Sequence, residues 1–381
     1  MDFTWSKEQV ELRKKVRDMA LKEVAPIAKE YDLKQKFPMD VVKKIAAHGY
    51  FGIIFPQELG GMGLDYKSYV IIVEEFSRVD GAVGITVASH NSLCSNHIYS
   101  FGSDAQKKKY IPRLASGKAL GFWGLTEPNA GSDAAGTQTT AVLDGDHWVL
   151  NGSKSFITQG GVGDIGVVLA STDKSKGNKG ITAFIVERSD KGFSTGAKED
   201  KMGLRASDTT ELVFDNCRIP KDRLLGELGR GFVDTLKILD GGRISIGALG
   251  LGLAQGALDC AMDFVKSGGK VEGIPATEHQ GIRHMVVDMA MEIDAARLLL
   301  MRAADMKDRH ERVTLEASMG KVYAAEVGMR SAIKAVQILG AWGLTNASPA
   351  ERIMRDVKLC EIGEGTSEVQ RLVMSRMLGL G

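Results

Sequence analysis

Cysteine is scarce in this 381-residue chain, and the little there is forms no pattern. Cys94, Cys217, Cys260 and Cys360 lie far apart and make no CxxC pair. A disulfide scaffold, a zinc ribbon and a dithiol redox site are therefore not expected, and the four read as small buried hydrophobes. A surplus of either charge is missing as well. Forty-nine basic against 48 acidic side chains leave a formal +1, which argues against the basic footprint of a nucleic-acid binder. Long apolar runs are also lacking. The best, Ile244 to Leu258, covers 15 residues between Arg243 and Asp259, where a bilayer core needs roughly 20. It reads as a helix buried inside a domain or between subunits. The N-terminus carries Asp2, Glu8 and Glu11, with neither an apolar signal core nor Arg/Ser-rich transit character. A soluble intracellular protein is expected.

What is present is ordinary globular material. At about 150 residues per domain the length allows two or three. A composition 44% hydrophobic and 25% charged suits a substantial core built without disulfides or metals.

The periodicity divides the chain into three blocks. Residues 1–119 are helical: Ser6 with Gln9 resembles a capping box, and Val10, Val16, Met19, Ala20, Val24 and Ile27 follow at three- and four-residue spacing. Pro38 opens a second helix through Ala46 that stops near Gly49, and Tyr66 to Ser77 forms another. Residues 120–230 change period, with short β-branched runs at 147–150, 155–158, 165–170, 181–186 and 211–214. Asp144-Gly145, Asn151-Gly152 and Gly160-Gly161 read as the turns between them. No helix alternates with these strands, so an antiparallel β-domain is expected rather than a Rossmann fold. Residues 231–381 return to long helical patterns at 254–265, 279–305, 314–339 and 367–377, typical of a four-helix bundle. The fold class is α+β.

One Gly-rich string stands out, Gly124-Leu125-Thr126-Glu127-Pro128-Asn129-Ala130-Gly131-Ser132-Asp133-Ala134-Ala135-Gly136. Its free backbone N–H groups and hydroxyls suit an anionic or heteroaromatic cofactor, although for a generic Gly-rich segment a plain turn is the better reading. A second string, Ile362-Gly363-Glu364-Gly365, places a carboxylate between residues that solvate it poorly. Burial raises a carboxyl pKa, which makes Glu364 a candidate general base. A helix N-terminal carboxylate beside Thr366 is the structural alternative.

The first string resembles the first signature of the acyl-CoA dehydrogenases position by position, and four further segments continue that resemblance in order. They are Phe156-Ile157-Thr158, Leu239-Asp240-Gly241-Gly242-Arg243, Gln337-Ile338-Leu339-Gly340 and Glu364-Gly365-Thr366-Ser367-Glu368-Val369-Gln370-Arg371. The resemblance implies an FAD enzyme that oxidises an acyl-CoA to the 2,3-enoyl-CoA, with Glu364 removing the α-proton. Trp123, Leu125, Thr126, Gly131, Ser132, Phe156, Ile157, Thr158, Thr366 and Glu368 would contact flavin. Gln280, Gln337, Gly340 and Ala341 would reach the cofactor across a subunit interface. Ser132, Asp240, Arg243, Gly365 and Asn91 would bind substrate, and the Glu364 N–H would donate to the thioester oxygen. It further implies an electron-transferring flavoprotein as acceptor, a homotetramer, a bacterial cytoplasmic rather than mitochondrial location, and no metal.

Some relatives carry the base one residue before the arginine of the 239–243 segment, where this chain has Gly242; others use an aspartate near Asn91, here an amide. Both absences concentrate the role on Glu364. An acyl-CoA oxidase is usually a longer chain. A decarboxylating relative would place an arginine within 90–98, which has none, and a DNA-associated relative would have a basic C-terminal surface.

Three departures from the family pattern stand out. Gly269-Lys270-Val271-Glu272-Gly273 replaces Arg-x-Gln-Phe-Gly, so Lys270 or Lys266 substitutes for the arginine or FAD is held more weakly. Ala341 interrupts a Gly-Gly pair. Gly363 stands where many relatives have tyrosine, which suggests room for an α-branched or alicyclic acyl group unless another side chain fills the gap. His90 and His97 are expected to be packed or solvated, Glu74 and Glu75 to lie on a helix surface or at a pocket floor, and Trp148 and Trp342 to anchor the core or an interface.

Overall fold

The computed structural model describes residues 4–271 and 273–380. The N-terminal helices are α1 (Lys7–Met19), α2 (Ala25–Lys34), α3 (Met39–Ala47), α4 (Tyr66–Ser77), α5 (Gly81–Ser89), α6 (Asn96–Phe101) and α7 (Asp104–Ala115). Their starts are set locally. The Ser6 hydroxyl accepts from the Gln9 N–H at 3.2 Å while the Gln9 side chain accepts from the Ser6 N–H at 3.1 Å, a reciprocal cap that satisfies two otherwise orphan donors. Asp65 caps α4 by accepting from the Ser68 N–H at 2.7 Å. Single π-helical turns, Ala20–Val24 and His90–Ser95, interrupt the helical run.

The strands are β1 (Gly121–Gly124), β2 (Thr140–Asp144), β3 (His147–Thr158), β4 (Ile165–Ser171), β5 (Ile181–Glu187), β6 (Phe193–Lys198), β7 (Thr209–Pro220) and β8 (Leu224–Leu225). They form one sheet in the order β6-β7-β3-β2-β4-β5-β8, with β1 beside β4. Two details correct the sequence reading. The 147–150 and 155–158 runs are one strand, because Asn151-Gly152 is a register shift against β7 and not a turn. The sheet is not purely antiparallel: β1 and β4 pair in parallel, and β2 meets β4 likewise. Along β4, Ile165, Val167 and Leu169 pack toward α6 and α7, while Val168 and Ala170 face the sheet's other core with Phe184, Trp148 and Leu150. Burial on both faces explains why β4 and β5 read as continuous apolar runs.

The C-terminal helices are α8 (Gly231–Lys266), α9 (Gln280–Asp308), α10 (Thr314–Leu339), α11 (Ala350–Ile362) and α12 (Ser367–Met377), and a small hairpin, β9 (Lys270–Val271) with β10 (Ile274–Pro275), precedes α9. Among the described residues α8 alone is long and apolar enough to cross a membrane, and 78% of its apolar window is buried inside the protein. Ile244 to Leu258 is its centre. One hydrophobic core runs from Val16, Phe51 and Val73 through Leu249 and Leu253 to Met289, Ala324 and Val357. The two helical blocks thus share a core, which their separate sequence patterns do not disclose.

Glu74 and Glu75 are not surface residues; each is 1% exposed. Arg13 reaches both, at 3.2 and 2.7 Å, and Arg297 from α9 reaches Glu74 at 2.9 Å. Buried carboxylates are tolerable when paired in this way, and here they tie α1 and α9 to α4.

Candidate active site

Glu364 lies in the turn between α11 and α12 and adopts φ +55°, a left-handed conformation uncommon outside glycine. Two side chains from other elements hold that turn. Lys321 Nζ of α10 donates to the Gly365 carbonyl at 2.8 Å, and Gln370 Nε2 of α12 donates to the Glu364 and Gly365 carbonyls at 3.2 and 3.3 Å. Gly365 is required twice over. Its φ is +90°, and a Cβ there would sit 2.4 Å from Gln370 Nε2. Thr366 then caps α12, its hydroxyl accepting from the Val369 N–H at 3.2 Å.

The carboxyl points at α8. Its Oε2 is sealed from solvent and has no hydrogen-bond partner among the described residues, although Glu364 as a whole is half-buried. A Cβ built on Gly242 would lie 2.0 Å from that oxygen and 3.2 Å from Leu93 Cδ2. The position where some relatives place a base is thus the one that must stay bare for this carboxylate to fit. Burial pushes the Glu364 carboxyl up to about 7, against the pull of Lys321 and Arg243.

Arg243 is 5% exposed. It donates to Asp240 at 2.8 Å, and Asp240 also accepts from the Thr314 hydroxyl at 2.8 Å. The Asp-x-x-Arg spacing therefore forms an ion pair, but an interior one, and the positive charge of Arg243 pulls the Glu364 carboxyl pKa down. Asn91 is interior as well. It is fully buried, its side-chain carbonyl accepts from the Ile53 N–H, and its amide donates to the Tyr50 and Val87 carbonyls, so its bonding is spent within the N-terminal block.

The sheet supplies a second surface. The Ser155 N–H donates to the Thr126 carbonyl at 2.8 Å, so the end of β1 and the end of β3 run side by side. There Trp123, Thr126 and Thr158 are half-buried, Leu125 and Ile157 are buried, and Phe156 is 66% exposed at φ +58°. Gly131 and Ser132 are exposed on the following loop, and nothing lies within 4 Å of a Cβ built on Gly131. An open rim of aromatic, hydroxyl and free backbone groups fits a flat heteroaromatic cofactor with a phosphate tail. Gln280, Gln337, Gly340, Ala341 and Glu368 are exposed on the C-terminal helices and their connections, as are Lys266 and Lys270; Glu272 lies outside the described residues.

Sequence reading missed the clamp beneath this loop. Lys154 and Glu127 are buried and paired at 2.6 Å, and Glu127 also accepts from the Gln138 and Thr139 N–H groups. A lysine at an inward-facing strand position was the available signal. Removing one partner of such a pair costs about 3–5 kcal/mol. Lys154→Met should therefore lower the melting temperature and release the 126–139 loop, measured as FAD lost from the protein on gel filtration.

His90 and His97 are fully buried. His90 accepts from the Gly121 N–H at 3.1 Å and bonds the Leu114 carbonyl, and His97 Nδ1 accepts from Trp123 Nε1 at 3.1 Å. Burial pushes His90 down to about 4 and His97 to about 3, so both are neutral struts. Trp148 packs edge-on against Phe184 at 5.2 Å, whereas Trp342 is 66% exposed.

Comparison with known proteins decides the family. Models described as acyl-CoA dehydrogenase N-terminal, middle and C-terminal domains match residues 6–118, 123–217 and 229–379. The chain belongs to the acyl-CoA dehydrogenase family. It is 48% identical over 375 residues to the short-chain specific acyl-CoA dehydrogenase of Clostridium acetobutylicum, covering 98% of this chain and 99% of that one. The butyryl-CoA dehydrogenase structure from Megasphaera elsdenii superposes with a TM-score of 0.96 at 43% identity, covering 99% and 100% of the two chains. A chain from a structure described as "Electron transferring flavoprotein of Acidaminococcus fermentans: Towards a mechanism of flavin-based electron bifurcation" gives 0.97 at 45% identity, with 99% of each chain covered. This acyl-CoA dehydrogenase is accordingly an FAD-dependent oxidoreductase.

Proposed function

We propose that this acyl-CoA dehydrogenase oxidises a short acyl-CoA at its Cα–Cβ bond, with Glu364 taking the α-proton. The observation that carries this is the Glu364 carboxyl, whose Oε2 is sealed and without a partner among the described residues and which burial pushes up to about 7. A base of that strength matches a weakly acidic α-proton near neutral pH. Bound FAD would supply the acceptor for the β-hydride, chemistry that no side chain provides. The chain's part is to hold and orient. Among the described residues the Glu364 N–H makes no hydrogen bond: the last bond of α11 is from the Gly363 N–H to the Leu359 carbonyl, and the left-handed turn begins at the next residue. That N–H is free to donate to the thioester oxygen, where charge develops as the proton leaves.

The β1–β3 rim of Trp123, Leu125, Thr126 and Phe156–Thr158, with Gly131 and Ser132, would hold the flavin from within the chain, and Thr366 and Glu368 lie beside the Glu364 turn. Exposed Gln280, Gln337, Gly340 and Ala341, with Lys266 or Lys270 as cation, would meet the cofactor of a neighbouring copy. Exposed Val287, Met291, Ile333, Trp342 and Leu344 on and after α9 and α10 supply an apolar surface for that association, in keeping with a homotetramer. The likeness to the Acidaminococcus fermentans structure supports an electron-transferring flavoprotein as acceptor. The bacterial relatives support a cytoplasmic location.

Adding butyryl-CoA anaerobically should bleach the bound flavin, and adding an electron-transferring flavoprotein should restore the colour. Failure of every short acyl-CoA in a panel to bleach it would remove the proposal.

Gly363 favours a second reading for the acyl group. A Cβ there meets only Leu359 at its three nearest contacts, at 3.4–3.7 Å, all ordinary distances. The glycine is thus not demanded by packing at its Cβ position. The protein should turn over cyclohexane-1-carboxyl-CoA as well as butyryl-CoA. Gly363→Tyr should lower kcat/KM for the ring substrate at least tenfold relative to the straight chain, the range expected of a hydrophobic pocket.

A further inference from the structure

The proposed chemistry uses Glu364 but leaves unexplained a buried cation beside it. Lys321 has no solvent exposure, and a lysine in that situation normally pairs with a carboxylate. Here it makes no ion pair among the described residues, and its hydrogen bond goes to the Gly365 carbonyl at 2.8 Å. Close helix contact drives it inward: a Cβ on Gly250 of α8 would meet the Ala324 backbone at 3.3 Å, and one on Gly247 would meet Lys321 Cα at 3.3 Å. We propose that Lys321 is a positioning residue for Glu364, anchoring the turn that aims the carboxyl at α8 and supplying the positive charge that balances it.

The groups around the carboxyl support that role. Arg243 on α8 is the other cation, but Asp240 holds it at 2.8 Å. Glu361 on α11 is engaged by Lys358 at 2.5 Å. Cys360, also on α11, and Tyr69 on α4 are buried and pushed up to neutral forms. Among the described residues Glu364 is thus the carboxylate left beside Lys321 to balance its charge. Burial brings Lys321 down to about 8, and Glu364 acts to keep it charged. Charge on each group thus favours charge on the other.

This inference rests on Glu364 as the base. Glu364→Gln inactivity tests that reading, and the lysine variants test this one. Lys321→Gln keeps a donor for the Gly365 carbonyl and removes the charge; Lys321→Met removes both. An opposite charge close by lowers a carboxyl pKa by about 1–3 units. Both variants should therefore move the acid limb of the kcat/KM profile to higher pH by at least about one unit, a tenfold loss at pH 6 for Lys321→Gln with its alkaline plateau kept. Lys321→Met should lose plateau activity as well. Infrared difference titration of the carboxyl, with Glu364→Gln as the blank, reads the same shift without turnover. A uniform loss at every pH, or an unmoved infrared titration in a folded, flavin-retaining Lys321→Gln protein, would overturn the proposal.

Discussion

Glu364→Gln is expected to lower kcat/KM by about 10²–10⁴-fold, the usual contribution of a positioned general base, while leaving FAD bound. The amide keeps the shape of the carboxyl but cannot accept the α-proton. In the parent protein the carboxyl is neutral below about pH 7, so kcat/KM should fall tenfold per unit below that value and level off above it. Stability should move in the opposite sense. A carboxyl raised from 4.5 to about 7 by burial is most favourably buried below pH 4.5, and that contribution fades as the pH climbs through 7. The Glu364→Gln protein escapes this loss. Its melting temperature should therefore exceed the parent's at pH 8 and converge with it near pH 4.5. A variant that turns over normally would remove Glu364 from the chemistry.

Gly242→Ala should be nearly as damaging, for a reason visible only in three dimensions. The added methyl would occupy a point 2.0 Å from Glu364 Oε2 and 3.2 Å from Leu93 Cδ2, so the carboxyl must be displaced. Misplacement of about 1 Å can cost about 10²-fold in rate, and kcat/KM should fall at least that far. Helix stability argues the other way, since alanine in a helix interior is better than glycine by about 1 kcal/mol. The expected signature is an inactive protein that melts no lower than the parent and still holds flavin. A fully active Gly242→Ala protein would mean that Glu364 works from a different position.

The sheet and the helical blocks show how far local pattern reaches. The α4 and α12 limits follow from periodicity and the Asp65 and Thr366 caps, and those of α10 from periodicity and the glycine that ends it, because each helix is specified by residues within a few positions of its ends. The Asn151-Gly152 turn failed because a bulge and a turn share the same residue preferences, and only pairing with β7 distinguishes them. Glu74 and Glu75 failed likewise: acidic residues in a helix suggest solvent, and the arginines that make burial tolerable come from α1 and α9.

The sequence by itself determined the order helix, strand, helix and the family, and it singled out the 124–136 string and Glu364 as candidates, since these rest on contiguous residues. The tertiary structure alone decided that Gly242 makes room for the carboxyl, that Arg243 and Asn91 are interior, and that Lys321 is buried on the turn that carries Glu364 with no ion pair among the described residues. The lysine and the turn it holds are 44 residues apart. Nothing in the period of either helix records their meeting, because it depends on how closely α8 and α10 pack, and small residues set that distance without a pattern of their own.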